Sequence, residues 1–419
     1  MFSSLLSISS RRALIFCLFL SMFELLTYIA SDVVMPGMLL VIADLNAEPY
    51  YIPWSLNAYL LGGVAFQWLI GPLSDRFGRR PLLLIGCAIF SISCLVTPWV
   101  NNIQIFTSLR FIQGMGLGFV VVVSYPALQE GFKESDAIRL IAIFANIALL
   151  SPLFGPLVGS ILLSYISWRM IFIVIAIMAA LTWFGLLGWM PETIGVMRND
   201  GSKIEYQPLQ VKTIARAYGE LLKNQRCMSG SIVLGLTGLP LMAWIALSPL
   251  LLVHNLNMSM MEYALWQLPI FGALIAGNIV LNYSAEKFKT ERLLYFSLFP
   301  VFIGIILALI ITLIFQNIIA LIFGMAIYAF GLGICNATLY RLTLFSSELG
   351  KGCVSAMIGM ISVAIFSVGG ALMAALGAGD SLCAYIIAAI FPILAALLIM
   401  LKMFSHQLKN KMKATAPSH

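Results

Sequence analysis

Residues 52–100 read IPWSLNAYLLGGVAFQWLIGPLSDRFGRRPLLLIGCAIFSISCLVTPWV. Two apolar runs, 52–73 and 82–100, flank the loop Gly71-Pro-Leu-Ser-Asp75-Arg76-Phe-Gly78-Arg79-Arg80-Pro81. A helix rises about 1.5 Å per residue, so either run is long enough for the ~30 Å hydrocarbon core of a bilayer. The three arginines crowd into the connection, where membrane proteins keep their cytoplasmic positive charge. The stretch therefore reads as a transmembrane helical hairpin. Glycines at 71 and 78 allow a tight turn, and Asp75 is suited to a helix N-terminus, where negative charge is favoured.

The same pattern extends outward through the chain. Of 419 residues, 61% are apolar and only 10% are charged. Soluble domains carry roughly 25% charged residues. A soluble enzyme, a nucleic-acid-binding module and a disordered chain are thereby excluded. Twelve apolar runs fall at 13–41, 52–73, 82–100, 103–126, 138–163, 168–190, 228–253, 262–283, 293–315, 317–345, 353–376 and 382–404. Only Gln316-Asn317 separates the ninth from the tenth. The longest polar stretch, 191–226, divides six runs from six and predicts a short amphipathic helix near 210–224. The expected fold is an all-α integral membrane protein of twelve transmembrane helices in two pseudo-symmetric six-helix bundles. The expected domains are 1–190, a cytoplasmic linker at 191–226, and 227–419 with a cytoplasmic tail.

The charges set an orientation. Arg11 and Arg12, the loop arginines, Lys133 and Arg139, the linker, Lys287, Lys289 and Arg292, Lys351 and the tail lysines all fall on one side if the helices alternate. Of the basic residues, only Arg169 falls on the other side, while Arg110 and Arg341 lie within or at the end of runs. Both termini and the linker are therefore expected in the cytoplasm, with the protein multi-pass in the membrane. The first run is too long, and too acidic, for a cleaved leader, so it reads as the first helix. The seven cysteines lie mostly inside apolar runs without C-x-x-C spacing, which predicts buried thiols rather than a disulfide framework or zinc site.

Ionisable groups inside apolar runs cost several kcal/mol, so they mark function. The first run holds Glu24 and Asp32, eight residues apart. A helix places them about 12 Å apart along its axis and about 80° apart around it. Tyr28 lies between them, Ser31 adjoins Asp32, and Pro36-Gly37 can bend the helix just beyond. Either acid could pair structurally with a distant cation. The alternative is a proton site and a cation-facing acid, because low dielectric favours the neutral carboxyl and an arriving cation displaces its proton. Arg110, in the fourth run, needs polar company such as Gln113 or a carboxylate on another helix. It is either a structural anchor or a partner that senses protonation of an acid in the first run. Gly114 and Gly118 form G-x-x-x-G, a close-packing signal. In the fifth run Ala148, Pro152, Gly155, Pro156 and Gly159 make one stripe of small and imino residues. Leu241 and Trp244 in the seventh run suit packing better than a cavity wall. There is no G-x-x-x-x-G-K-[ST], so ATP is not expected to drive the protein. The three histidines suggest neither a relay nor a metal site.

The chain resembles the major facilitator superfamily, and within it the drug:proton antiporter branch. The loop 71–81 is similar to its motif A, Leu109-Arg110-Phe-Ile-Gln113-Gly114 to its fourth-helix motif, and the 148–159 stripe to its motif C. Glu24-x3-Tyr28-x3-Asp32, PIFGALIAGN at 269–278, YAFGLG at 328–333 and RLTLF at 341–345 extend the likeness over nearly the whole chain. The resemblance implies proton coupling at Glu24 and Asp32. It places Tyr28, Ser31, Asp32, Leu117, Tyr125 and Ala148 by a drug cavity. It gives conformational switching and gating to Asp75, Arg76, Gly78, Arg79, Arg80, Arg110, Gln113, Pro152, Gly155, Pro156, Gly159 and Arg341. Ser31 departs from the asparagine usual there, and the second-half copy of motif A, Glu286-Lys-Phe-Lys289, is degenerate.

The expected function is secondary active export of lipophilic, often cationic, drugs in exchange for protons by alternating access, and hence antibiotic resistance. The alternative is a dedicated proton-coupled exporter of an endogenous metabolite such as a siderophore. A membrane enzyme would need a nucleophile, metal cluster or His–acid pair at a membrane face, and none is legible. No cofactor, metal or nucleic acid is expected. The partners are the substrates, protons and the lipid bilayer, and the fold needs no second chain, so a monomer is expected.

Overall fold

The computed structural model describes residues 4–207, 211–284, 287–288, 290–347 and 351–414. Its helices are α1 (Ser10–Asp32), α2 (Met38–Asp44), α3 (Ile52–Ala65), α4 (Gln67–Phe77), α5 (Arg79–Val96), α6 (Ile103–Phe119), α7 (Tyr125–Gly131) and α8 (Glu134–Leu163). They continue as α9 (Trp168–Trp189), α10 (Val211–Lys223), α11 (Gln225–Ser248), α12 (Met260–Ser284), α13 (Thr290–Phe315), α14 (Ile318–Leu344), α15 (Lys351–Ala375) and α16 (Leu382–Ala414). Each apolar run of the sequence falls on one of these helices or on a consecutive set of them. Among the described residues ten spans are long and apolar enough to cross a membrane. An eleventh is α3 with α4, bent by 41°, and Leu150–Leu163 is the shorter apolar part of α8.

Local chemistry explains the boundaries. Ser9, Asn102 and Ser167 cap α1, α6 and α9 by accepting from backbone N–H groups of the first turn. Gln316 takes a left-handed φ of 49°, and Asn317 caps α14 by accepting from Ala320 N at 2.9 Å. Two residues therefore suffice to turn the chain between the ninth and tenth runs. Pro36 and Gly37 sit in a 3-10 turn between α1 and α2, so the first run breaks just beyond Asp32. A π-helical segment, Val120–Ser124, joins α6 to α7 immediately before Pro126. Proline has no N–H to donate, and such wide turns absorb the register change. The amphipathic linker helix near 210–224 is α10.

The chain forms two compact units, Met1–Val211 with Ser248–Leu268, and Lys212–Leu247 with Pro269–His419. In the first unit, α3 and α6 cross at glycines. A Cβ on Gly62 would meet the Phe111 carbonyl oxygen at 1.8 Å, and one on Gly118 the Gly63 oxygen at 2.5 Å. In the second unit α12 and α14 cross in the same way. A Cβ on Gly277 would meet the Phe330 oxygen at 2.1 Å, and one on Gly333 the Leu274 oxygen at 2.3 Å. These are the second and fourth helices of each six, so the two sets of six repeat the same backbone packing. A threonine carbonyl on each unit's first spanning helix also accepts from a tyrosine: Tyr59 donates to Thr27 and Tyr328 to Thr237. Trp244 is fully buried in the second unit, edge-on to Tyr385 with ring centroids 5.4 Å apart, and Leu241 is buried too. Both are packing residues. Cys17, Cys87, Cys94, Cys227 and Cys335 are buried, as expected of small hydrophobic side chains.

Candidate functional site

Among the described residues, every buried charged side chain lies in the first unit: Glu24, Asp32, Arg79, Arg110 and Asp136. Glu24 and Asp32 project from α1 and are 0% and 5% exposed. Tyr125, placed by the π-helical segment, donates to Glu24 Oε1 at 3.2 Å, while Glu24 Oε2 has no hydrogen-bond partner among the described residues. Ser151 of α8 donates to Asp32 Oδ2 at 2.7 Å. The ion pairs described are Arg79–Asp75, Arg79–Glu130, Arg169–Asp44 and Lys203–Glu205. None of them includes Glu24, Asp32 or Arg110.

Arg110 is buried in a cage of neutral groups. Its Nε donates to Ser55 Oγ at 3.2 Å, and Nη1 to the Ala30 carbonyl at 3.0 Å and Gln113 Oε1 at 2.8 Å. The guanidinium stacks over the Tyr59 ring, 4.6 Å from its centroid. Tyr59 in turn donates to the Thr27 carbonyl, and Gln113 donates to Thr97 Oγ1 at 2.8 Å. Nη2 has no hydrogen-bond partner among the described residues. Of the two partners the sequence suggested, Gln113 is present and the carboxylate is not. A cation held by dipoles and a π face keeps its charge without a fixed counter-ion.

The small-residue stripe of α8 seats the break in α1. A Cβ on Gly155 would meet Asp32 Cβ at 2.5 Å, and one on Gly159 the Val33 carbonyl oxygen at 2.3 Å. Ser151 stands one turn before Gly155, so its hydroxyl reaches the carboxylate because the helices touch there. Pro156 is buried and Pro152 half-buried on the same helix. The side chain of Ala148 lies outside the described residues. Ser31 is buried, and Tyr28, Leu117 and Tyr125 are half-buried.

The loop 71–81 corrects two expectations. Asp75 does not cap a helix; it lies in the last turn of α4 and pairs with Arg79 at 2.6 Å. The group at the N-terminus of α5 is Glu192, accepting from Arg79 N at 2.9 Å and Arg80 N at 3.2 Å. The arginines are also not all on the surface. Arg76 is exposed and Arg80 half-buried, but Arg79 is buried, held by Asp75, Ser74 and Glu130. Burial is tolerated because two carboxylates and a hydroxyl satisfy the guanidinium. Gly78 takes φ of 105°, and a Cβ there would lie 2.3 Å from Glu192 Oε2. Thr193 donates to Glu130 Oε2 at 2.6 Å, and Gln207 N donates to the Asp75 carbonyl at 3.0 Å. Residues 192–207 are thus fastened onto the loop. Arg341, at the end of α14 in the second unit, is exposed. Glu286 and Lys289 lie outside the described residues.

Sequence reasoning missed Tyr59, Ser55, Ser151, Glu130 and Glu192. The one available signal was Pro191-Glu192-Thr193, an acid directly after an apolar run, which was read only as the start of the linker. In the second unit, α11, α15 and α16 line an open pocket of about 1040 Å³, with walls that include Leu236, Val368, Leu372 and Phe391. It has no ionisable lining and includes none of the residues singled out from the sequence.

Comparison with known proteins follows these features. The sequence model of the Major Facilitator Superfamily matches residues 18–374. The multidrug transporter MdfA of Yersinia pestis bv. Antiqua (strain Angola) is 43% identical over 360 residues, covering 86% of this chain and 86% of its own. Its counterpart from Escherichia coli O6:H1 (strain CFT073) is 44% identical over the same extent. Among solved structures, the xylose transporter XylE from E. coli, in a partially occluded inward-open conformation, has a TM-score of 0.68 at 15% identity. It covers 93% of this chain and 98% of its own. A bacterial homologue of the lysosomal transporter Spinster, inward-facing and unoccupied, has a TM-score of 0.69 at 14% identity, covering 94% and 96%. The family model spans most of the chain, the relatives are identical at more than two-fifths of the 360 aligned residues, and the fold is that of the solved transporters: the chain is a multi-pass membrane protein of the major facilitator superfamily.

Proposed function

We propose that the protein exports lipophilic, often cationic, drugs in exchange for protons by alternating access. The observation that carries this is the state of the two acids on α1. Both are buried, neither is in an ion pair among the described residues, and both accept from hydroxyls, Glu24 from Tyr125 and Asp32 from Ser151 and Ser31. An unpaired carboxylate in hydrocarbon costs several kcal/mol. A proton or a cationic substrate relieves that cost, and the two relieve it in competition. Glu24 and Asp32 are the coupling acids in this reading. Tyr28, Ser31, Asp32, Leu117, Tyr125 and Ala148 contact substrate. Arg110, caged without a counter-ion, responds to the charge of α1. The loop residues Asp75, Arg76, Gly78, Arg79 and Arg80, with Gln113, the α8 stripe and Arg341, govern the conformational change. The multidrug transport in the MdfA relatives' name extends to this chain on the same ground, and antibiotic resistance is its expected consequence.

Both termini and the 191–226 linker face the cytoplasm in this reading, which divides the chain into halves 1–190 and 227–419. The transport unit is a monomer. A reporter that is active only in the cytoplasm, fused after His419, tests the orientation. The functional test is ethidium export from loaded, pump-deficient cells, comparing the parent with Asp32→Asn and Glu24→Gln, with and without an uncoupler. Uncoupler-sensitive export lost in either variant is the expected result. Export indifferent to both variants sinks the carboxylate mechanism. No export by well-expressed parent overturns the drug reading in favour of a dedicated metabolite exporter.

A further inference from the structure

Asp32 is held differently from Glu24. Tyr125 approaches Glu24 from a half-buried position at 3.2 Å. Ser151 approaches Asp32 from inside the α1–α8 seam, at 2.7 Å, and is itself only 5% exposed. The seam leaves the hydroxyl little freedom, because Gly155, one turn along α8, lies so close that a Cβ would fall 2.5 Å from Asp32 Cβ. A serine in a membrane helix ordinarily satisfies itself by donating to the carbonyl four residues back. Ser164, at the end of the same helix, does this to Ser160 at 3.1 Å. Ser151 instead spends its proton on a carboxylate 119 residues away. A hydroxyl donor favours the ionised carboxylate over the acid, and fixes one of its oxygens.

We propose that Ser151 is a positioning residue for Asp32: its hydroxyl pins Oδ2 against α8 and sets the proton concentration at which the site exchanges its proton for a cation. This rests on Asp32 being a coupling acid. The other charged or titratable groups that face Asp32 are Arg110 from α6, Tyr59 from α3, Tyr263 from α12, and Glu24 and Tyr28 on α1 itself. None of these donates a hydrogen bond to the carboxylate among the described residues. Ser31, next to Asp32 on α1, also bonds the carboxylate; Ser151 is the hydroxyl that reaches it from another helix, and its removal alters the carboxylate without removing a charge.

The test uses the purified full chain in proteoliposomes, with ethidium transport driven by an imposed pH gradient and measured across a range of pH. Ser151→Ala is expected to move the midpoint of the pH profile to higher pH by roughly one unit, a tenfold change in proton concentration, the size of one charged hydrogen bond. The maximal rate at each variant's own optimum should stay close to the parent's. Ser151→Thr keeps the hydroxyl and should restore the parent midpoint. A Ser151→Ala profile that coincides with the parent's overturns the proposal, and so does an equal shift in Ser151→Thr. If Ser151→Ala fails to fold by size-exclusion chromatography, Ser151→Cys, a weaker donor of similar volume, takes its place. A smaller shift in the same direction supports the proposal, and no shift overturns it. A parent whose transport ignores pH overturns the antiport reading itself, an outcome separate from the variants.

Discussion

Gly114→Ala adds one methyl group where α6 crosses α3. The new Cβ would lie 1.9 Å from the Tyr59 carbonyl oxygen and 3.1 Å from Gly63 N. Both atoms are backbone, so neither can swing aside. Reaching even 3.0 Å requires the helices to part by about 1.1 Å at this point. Overpacking of this kind costs about 1–3 kcal/mol. Replacing a helical glycine by alanine returns about 0.5–1 kcal/mol through backbone entropy. With both clashing atoms in the backbone the clash outweighs this gain, and the net loss is up to about 2.5 kcal/mol. The displaced atom belongs to the residue whose ring stacks on Arg110, so ethidium export should fall as well. Gly188→Ala is the matched control, because a Cβ there meets nothing within 4 Å. It should keep export unchanged and stability equal or slightly higher. Equilibrium unfolding of both purified variants in one detergent, alongside export in cells, makes the comparison. If Gly114→Ala is as stable and active as Gly188→Ala, the close crossing of α3 and α6 is refuted.

Further predictions concern the loop, the linker and the arginine cage. Glu192→Ala removes the acceptor for Arg79 N and Arg80 N at the start of α5 and should cost about 1–2 kcal/mol in the same unfolding assay. It should also make 192–207 more open to protease, as the fastening to the loop is lost. Arg110→Lys keeps the charge but loses the fork that reaches Ser55, Ala30 and Gln113 together, and should abolish most export while the chain still reaches the membrane. Asp200 accepts from Ser202 N at 2.9 Å and Oγ at 2.6 Å, and these bonds hold its carboxyl below the ordinary value. The turn it supports is therefore at full strength above about pH 3.9 and loosens as pH falls through the depressed value. Hydrogen exchange should show protection of the Ser202 amide falling in acid, and no such fall in Asp200→Asn. Trp244→Ala opens a cavity against Tyr385 and should cost about 3–5 kcal/mol, read as loss of folded protein on size-exclusion chromatography.

The sequence showed what repeats locally. Twelve apolar runs, the break at Pro36-Gly37 and the G-x-x-x-G spacing of Gly114 and Gly118 all depend on residues within a few turns of each other. The acid pair was legible because carboxylates in an apolar run are costly wherever the helix goes. What stayed hidden was which groups satisfy them. Ser151 reaches Asp32 across 119 residues and Tyr125 reaches Glu24 across 101, and nothing in a hydroxyl on a membrane helix marks it as other than self-bonded. Asp75 was assigned the role of Glu192 because it is the acid nearest in sequence to the start of α5. The fold brought a nearer one from 113 residues away. Arg79 was placed at the surface because positive-inside counting has no term for Glu130, which only folding sets beside it.

The threonine carbonyl that accepts a tyrosine in each unit, and the glycine crossing repeated at α3–α6 and α12–α14, belong to both copies of the six-helix pattern. The buried charges, among the described residues, belong to one. Duplication has thus left the two copies with a shared mechanical inheritance and a divided chemical one. With Glu24 and Asp32 as the proposed coupling acids, the number of protons moved per cycle is expected to follow the first copy, and substitutions inside the second are expected to retune turnover or cargo size without touching stoichiometry.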